Sequence, residues 1–178
     1  MRKEAFAVGV VLACTAMLAA QAPQMPKPGP EHQRLAAFVG NWTFTGEMKA
    51  GPMGPGGKMT GSDRIQWMPG NFFVERRFQG KGPMGEVGGL EILGYDSAKK
   101  AYTYTVFDHS GMSGSGTMTV SGSTWNFTGT ASAGGQTMQE RCVLTFDAGS
   151  TSLKINCEMS GDGKSWAPMI EGTATRAK

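Results

Sequence analysis

Residues 113–132 read SGSGTMTVSGSTWNFTGTAS, and this stretch decides the fold. Gly122-Ser123 works as a two-residue hairpin loop. It places Val120 opposite Trp125 and Met118 opposite Phe127, while Thr117, Thr119, Asn126 and Thr128 fall on the other face. One face is apolar and the other hydroxyl-bearing, the pattern of paired strands with one buried side. The same pattern extends in both directions. After Gly40, short strand-like runs alternate with turn chemistry, and ten strands are expected at about 41–49, 58–68, 71–80, 86–95, 101–109, 113–121, 124–132, 136–147, 151–160 and 165–176. No helix-length segment interrupts them, so the connections are hairpins and the sheet is antiparallel. A ten-stranded meander must close or leave a long exposed edge. The expected fold is all-β: a closed antiparallel up-and-down barrel.

Other turns set further register. Pro69-Gly70 is expected to put Trp67 opposite Phe72, Ile65 opposite Val74 and Asp63 opposite Arg76. Around Gly149-Ser150, Phe146 meets Leu153, Leu144 meets Ile155 and Cys142 meets Cys157. Asp162-Gly163 is a type I′ signal pairing Met159 with Trp166. The inward list then includes Trp42, Phe44, Trp67, Phe72, Phe78, Trp125, Phe127, Phe146 and Trp166.

Composition agrees. The 178 residues suit one domain, and 27 Gly plus 9 Pro make about a fifth of them, against about 12% in an average chain. The formal net charge of +3, with scattered basic residues, argues against a nucleic-acid partner. Met1-Arg2-Lys3 followed by an apolar run from Ala5 to Ala20 reads as a secretory signal peptide, residues 1–20, too short for a membrane span. Residues 21–30 form a proline-rich tether, and 31–178 the barrel domain, opened by a short helix at Glu31–Val39 that caps one end. The mature chain is expected in the periplasm or secreted, without a transmembrane segment. Val11-Leu12-Ala13-Cys14 is a loose lipobox, leaving lipid anchoring through Cys14 as an alternative.

The meander places alternate connections at opposite ends. MPGN, DSAKK, SGS and DAGS are compact. KAGPMGPGGK, QGKGPMGE, DHSGMSGSG, ASAGGQT and SGDGK gather at the other end, with Gly-Pro-Met-Gly at 51–54 and again at 82–85. A closed floor and an open mouth are expected. At the floor, Gly40-Asn41-Trp42 opens the first strand and Arg176 ends the last, where a guanidinium can stack on the indole and close the barrel.

That Gly-x-Trp start with a terminal-strand Arg resembles the calycin superfamily: lipocalins, fatty-acid-binding proteins and nitrobindin-like barrels. PKPGPEHQRLAAFVGNW (26–42), GGLEILGYDSAKKAYTY (88–104) and MIEGTATR (169–176) resemble, more closely, the bacterial domain of unknown function 1579 family. The resemblance implies the barrel fold and carries no activity.

Cys142 and Cys157 share an inward parity on neighbouring strands and are expected to form a disulfide, the alternative being two buried thiols. Asp63 and Arg76 share the parity of Trp67, Ile65, Val74 and Phe78, so both are expected inside. Such a pair either fills a polar cavity or is a structural salt bridge. The resemblance to fatty-acid-binding proteins makes Arg76 a candidate reader of an anionic head group. On 101–109 the inward face stays open. Either Tyr102, Tyr104 and Asp108 point in, or Phe107 and His109 do. Nitrobindins suggest a haem alternative through His109. Met48, Met59, Met118, Met138 and Met159 are candidate lining, and His32 is expected to be solvated. No metal-ligand cluster, nucleophile–base pair or phosphate loop stands out in the sequence, and Asp108-His109-Ser110 cannot be a triad, since consecutive strand residues face opposite sides. The leading reading is a barrel binding a small apolar or amphiphilic ligand through Asp63, Trp67, Arg76, Phe78, Tyr104, Met118 and Phe127. The alternatives are an envelope or extracellular interaction module with a filled barrel, and a haem-binding barrel.

Overall fold

The computed structural model describes residues 26–51 and 54–177. The expected targeting segment, Cys14 and the first half of the tether lie outside the described residues.

A helix, α1 (Pro30–Arg34), runs into a 3₁₀ turn at Leu35–Ala37. Ten strands follow: β1 (Gly40–Met48), β2 (Gly57–Trp67), β3 (Phe73–Gly82), β4 (Gly85–Asp96), β5 (Ala101–Asp108), β6 (Ser113–Ser121), β7 (Thr124–Ala133), β8 (Gln136–Phe146), β9 (Ser152–Ser160) and β10 (Ala167–Arg176). Each pairs antiparallel with its sequence neighbour, and β1 pairs with β10, so the sheet closes. Closure removes every free edge that a ten-stranded meander would expose.

Strand alternation sorts the side chains. Val120 pairs Trp125 and Met118 pairs Phe127, as the Gly122-Ser123 turn requires. The Phe146–Leu153, Leu144–Ile155 and Cys142–Cys157 pairs also form. Two turns differ from expectation. After β2, Asn71 adopts φ 58° and donates its backbone N–H to the Met68 carbonyl, and Met68 N–H bonds Phe73 O. The loop is longer by two residues, so Trp67 pairs Val74, Ile65 pairs Arg76 and Asp63 pairs Phe78. Phe72 leaves the wall and packs edge-on against His32 at 5.1 Å. An even shift keeps the facing unchanged, so Asp63 and Arg76 become diagonal neighbours. After β9, the Asp162 carboxylate accepts from Lys164 N, Ser165 N and Ser160 Oγ. A six-residue loop, 161–166, results, and Met159 pairs Ala167. Trp166 therefore sits outside the barrel, against Arg141 at 4.2 Å.

The floor is a plug. Leu35 (0% exposed) and Phe38 (4%) enter the barrel end, and Phe38 meets Trp125 at 4.9 Å and Phe146 at 5.4 Å. Arg176 stacks on Trp42 at 4.3 Å and donates to the carbonyls of Ala37, Val39 and Ser150. Trp42 Nε1 donates to Phe38 O at 2.8 Å. One guanidinium thus fixes three chain segments and satisfies carbonyls that burial would otherwise leave unpaired. His32 is buried, not solvated: its Nδ1 accepts from Gly29 N at 3.1 Å, and its ring lies between Phe72 and Tyr95.

Loop length separates the two ends less than expected. QGKGPMGE and ASAGGQT are two-residue turns on longer strands, because Gly82 pairs Gly85 and Ala133 pairs Gln136. Gly54 and Gly57 lie against Met84 and Pro83 of the second Gly-Pro-Met-Gly segment. What distinguishes the ends is the inward side chain. Towards the mouth the wall presents Gly46, Gly61, Gly80, Gly82, Gly89, Gly114, Gly116, Gly129 and Gly172, interspersed with the buried Met48, Ala131 and Met159.

Candidate functional site

The layer above the floor is where polar groups enter the barrel. On β2, β3 and β4, Asp63, Arg76 and Glu91 form a chain: Arg76 Nη2 lies 3.2 Å from Asp63 Oδ1 and Nη1 lies 3.0 Å from Glu91 Oε2. The guanidinium also rests 4.8 Å above the Phe78 ring. Burial works against its charge, but Asp63 and Glu91 outweigh that and hold Arg76 above its ordinary pKa.

The second polar pair is built by absences. On β5, the inward face carries Tyr102 and Tyr104, while Phe107 and His109 point out. Tyr104 pairs Gly116, which pairs Gly129, which pairs Glu140. A Cβ on Gly116 would lie 2.8 Å from the Tyr104 ring, and one on Gly129 2.4 Å from its hydroxyl. Only glycine lets the ring lie flat across two strands and deliver its O–H to Glu140 Oε1 at 2.6 Å. Phe44 lies likewise over Gly46 and Gly172, and Phe78 over Gly89. Burial and the Glu140 carboxylate hold the Tyr104 hydroxyl well above its ordinary pKa, so it stays a neutral donor. Burial pushes the Glu140 carboxyl up, the Tyr104 bond pulls it back, and the Glu91 charge pushes it up again, leaving it raised.

There is space beside these groups. Arg76 keeps 31% of its side chain accessible, although Asp63 and Glu91 on either side keep only 11%. Glu91 bonds through Oε2 and Glu140 through Oε1; their other oxygens have no protein partner. No buried side-chain polar atom among the described residues lacks one. Those oxygens therefore keep some accessible surface. Mouthward of Arg76 the inward residues Gly61, Phe78, Gly80, Gly89 and Val106 are all half-buried.

The residues singled out from sequence divide into two groups. Asp63, Arg76 and Phe78 are partly accessible, whereas Tyr104 (4% exposed) and Phe127 (8%), 5.2 Å apart, belong to the buried core. Trp67 packs on the floor core, and Met118, 2% exposed, belongs to it. Cys142 and Cys157 are bonded in the wall between β8 and β9. His109 is exposed at the rim, its Nδ1 3.1 Å from Gly88 N, and does not reach the interior. Glu91 and Glu140 were missed. Alternation from the inward Cys142 already places Glu140 inside, and the Leu93–Tyr104 pairing does so for Glu91. Among the described residues no cluster of three His, Cys, Asp or Glu side chains is arranged to hold a metal.

The outer wall of β5, β6 and β7 differs from the inside and from the rest of the exterior. Thr103, Thr105, Ser113, Ser115, Thr130 and Ser132 face out with no charged side chain among them, and a shallow groove of about 280 Å³ runs there beside Phe107, which is 51% exposed.

A family model described as protein of unknown function (DUF1579) matches residues 27–176. Among solved structures, the chain is similar to Rv2717c from M. tuberculosis, with a TM-score of 0.62 and 15% identity over 84% of this chain and 99% of that one. It also matches a de novo designed fluorescence-activating β-barrel, with a TM-score of 0.43 and 19% identity over 80% of this chain and 97% of that one. No curated protein matches the sequence.

Proposed function

The chain belongs to the DUF1579 family, and from that premise we propose that its barrel takes up a small, mostly apolar molecule in the upper layer. The observation that carries this reading is the accessible surface of Arg76 inside a closed wall. A packed structural salt bridge would leave none. Phe44 and Phe78, both half-buried, supply aromatic faces, while the polar chain supplies a few fixed groups, the usual composition of a ligand site. The leader-like residues 1–20 and the Cys142–Cys157 bond support a periplasmic or secreted setting, with anchoring through Cys14 as the variant form.

Native mass spectrometry of protein purified from its own host tests the reading. A retained mass, released on denaturation, is expected. Protein that carries no such mass and takes up no neutral apolar dye would refute it. A second reading, an envelope or extracellular interaction module, is favoured by the uncharged β5–β7 outer wall with its groove and exposed Phe107. Replacing Phe107 by Ser would then abolish partner capture and leave dye uptake unchanged.

A further inference from the structure

We propose that the interior site selects ligands with a cationic, ammonium-type head group over anionic ones, an inference that rests on the ligand-binding reading above. The inward polar groups of the upper layer are Asp63, Glu91 and Glu140 against one guanidinium, Arg76. Arg76 is already held by two carboxylates and one aromatic face. A carboxylate brought to its accessible surface would sit beside the Asp63 and Glu91 charges. The chain as a whole carries +3, so this negative interior is local.

The free valences point the same way. Glu91 stands on β4 and Glu140 on β8, four strands apart around the wall, yet the Glu91 charge still acts on Glu140. Each has an oxygen with no protein partner and some accessible surface. Unpartnered carboxylate oxygens are what an ammonium group, with three donors and no acceptor, complements; the remaining N–H groups of Arg76 lie between Asp63 and Glu91, whose charges an anion would have to approach. Tyr104 cannot serve an anion, because its one O–H is committed to Glu140.

The test uses the full chain and three probes that share one alkyl tail: dodecylamine, dodecanol and laurate, each below its micelle concentration at neutral pH. Each competes for a neutral naphthylamine dye taken up by the protein. The amine is expected to displace the dye at roughly a tenth of the laurate concentration or less, an affinity gap of about 1.4 kcal/mol, with the alcohol between. Glu140→Gln should shrink the amine–alcohol gap several-fold while leaving the alcohol unchanged, and Glu91→Gln offers the same readout should the first variant fold poorly. Equal displacement by all three, or laurate displacing best, overturns the head-group proposal and leaves the ligand-binding reading standing. Failure of the dye and all three probes to bind overturns both.

Discussion

Trp42 and Phe44 are two residues apart on one strand and face the same way, yet the barrel treats them differently. Trp42 is 2% exposed, capped by Arg176 and tied to Phe38. Phe44 is half-buried and lies flat over Gly46 and Gly172. Below that level, large side chains interlock and the interior is solid. Above it, glycines draw the rings back against the wall, and charged groups find room. The same hydrogen-bonded ladder supports both halves. The difference teaches that a barrel's capacity to hold something is set by where the inward positions carry no side chain.

The comparison can be broken at several points. The largest effect is expected at the floor. Trp42→Ala should cost about 3 to 5 kcal/mol in urea unfolding, and Phe78→Ala in the upper layer less than half of that. Equal losses would mean that the upper layer is packed as tightly as the floor. Next is the wall itself. The disulfide closes a 15-residue separation, so Cys142→Ser with Cys157→Ser should lower stability by about 3 kcal/mol. Thiol labelling of unreduced, unfolded mature protein should find nothing to label, and two labelled cysteines would remove the bond from the account.

The polar chain comes third. Arg76→Met strands Asp63 and Glu91, at a cost of about 2 to 3 kcal/mol, below the value for a fully buried pair because Arg76 is partly accessible. Adding Asp63→Asn and Glu91→Gln should recover most of it. If the triple variant is no more stable than the single one, charge is not what the carboxylates contribute. The smallest effect is on pH dependence. Glu140 has a raised pKa in the folded state, so its contribution to stability is fully present below its ordinary value of 4.5 and is lost as pH rises through the raised one. Glu140→Gln should flatten that decline in a pH series of unfolding midpoints. An unchanged slope would place the Glu140 carboxylate in water.

Much of this was legible before any fold was known. Val120–Trp125 and Met118–Phe127 follow from one turn, and Cys142–Cys157 from another, because a two-fold side-chain period turns any fixed pair into a facing for the whole strand. The MPGN and SGDGK connections depart from the expected registers because Asn71 and Asp162 form their own local hydrogen bonds, which lengthen the loops. The first departure was harmless to facing, since it shifted register by two. The second moved Trp166 from the expected interior to the surface. His32 is buried where solvation is expected, because a polar residue on a short helix gives no sign in sequence of the Phe72 and Tyr95 rings that enclose it.

By itself, the sequence determined the ten strands, their antiparallel order, the Trp42–Arg176 closure and the inward facing of Asp63 and Arg76. These depend on local turn chemistry and alternation, which operate over a few residues. Only the tertiary structure decided that Arg76 is held by two carboxylates rather than one, that Tyr104 reaches Glu140 across Gly116 and Gly129, and that Arg76 keeps part of its side chain accessible. Those contacts join β3 with β4 and β5 with β8, and the distance between such side chains depends on how the closed wall curves and what the glycines leave out.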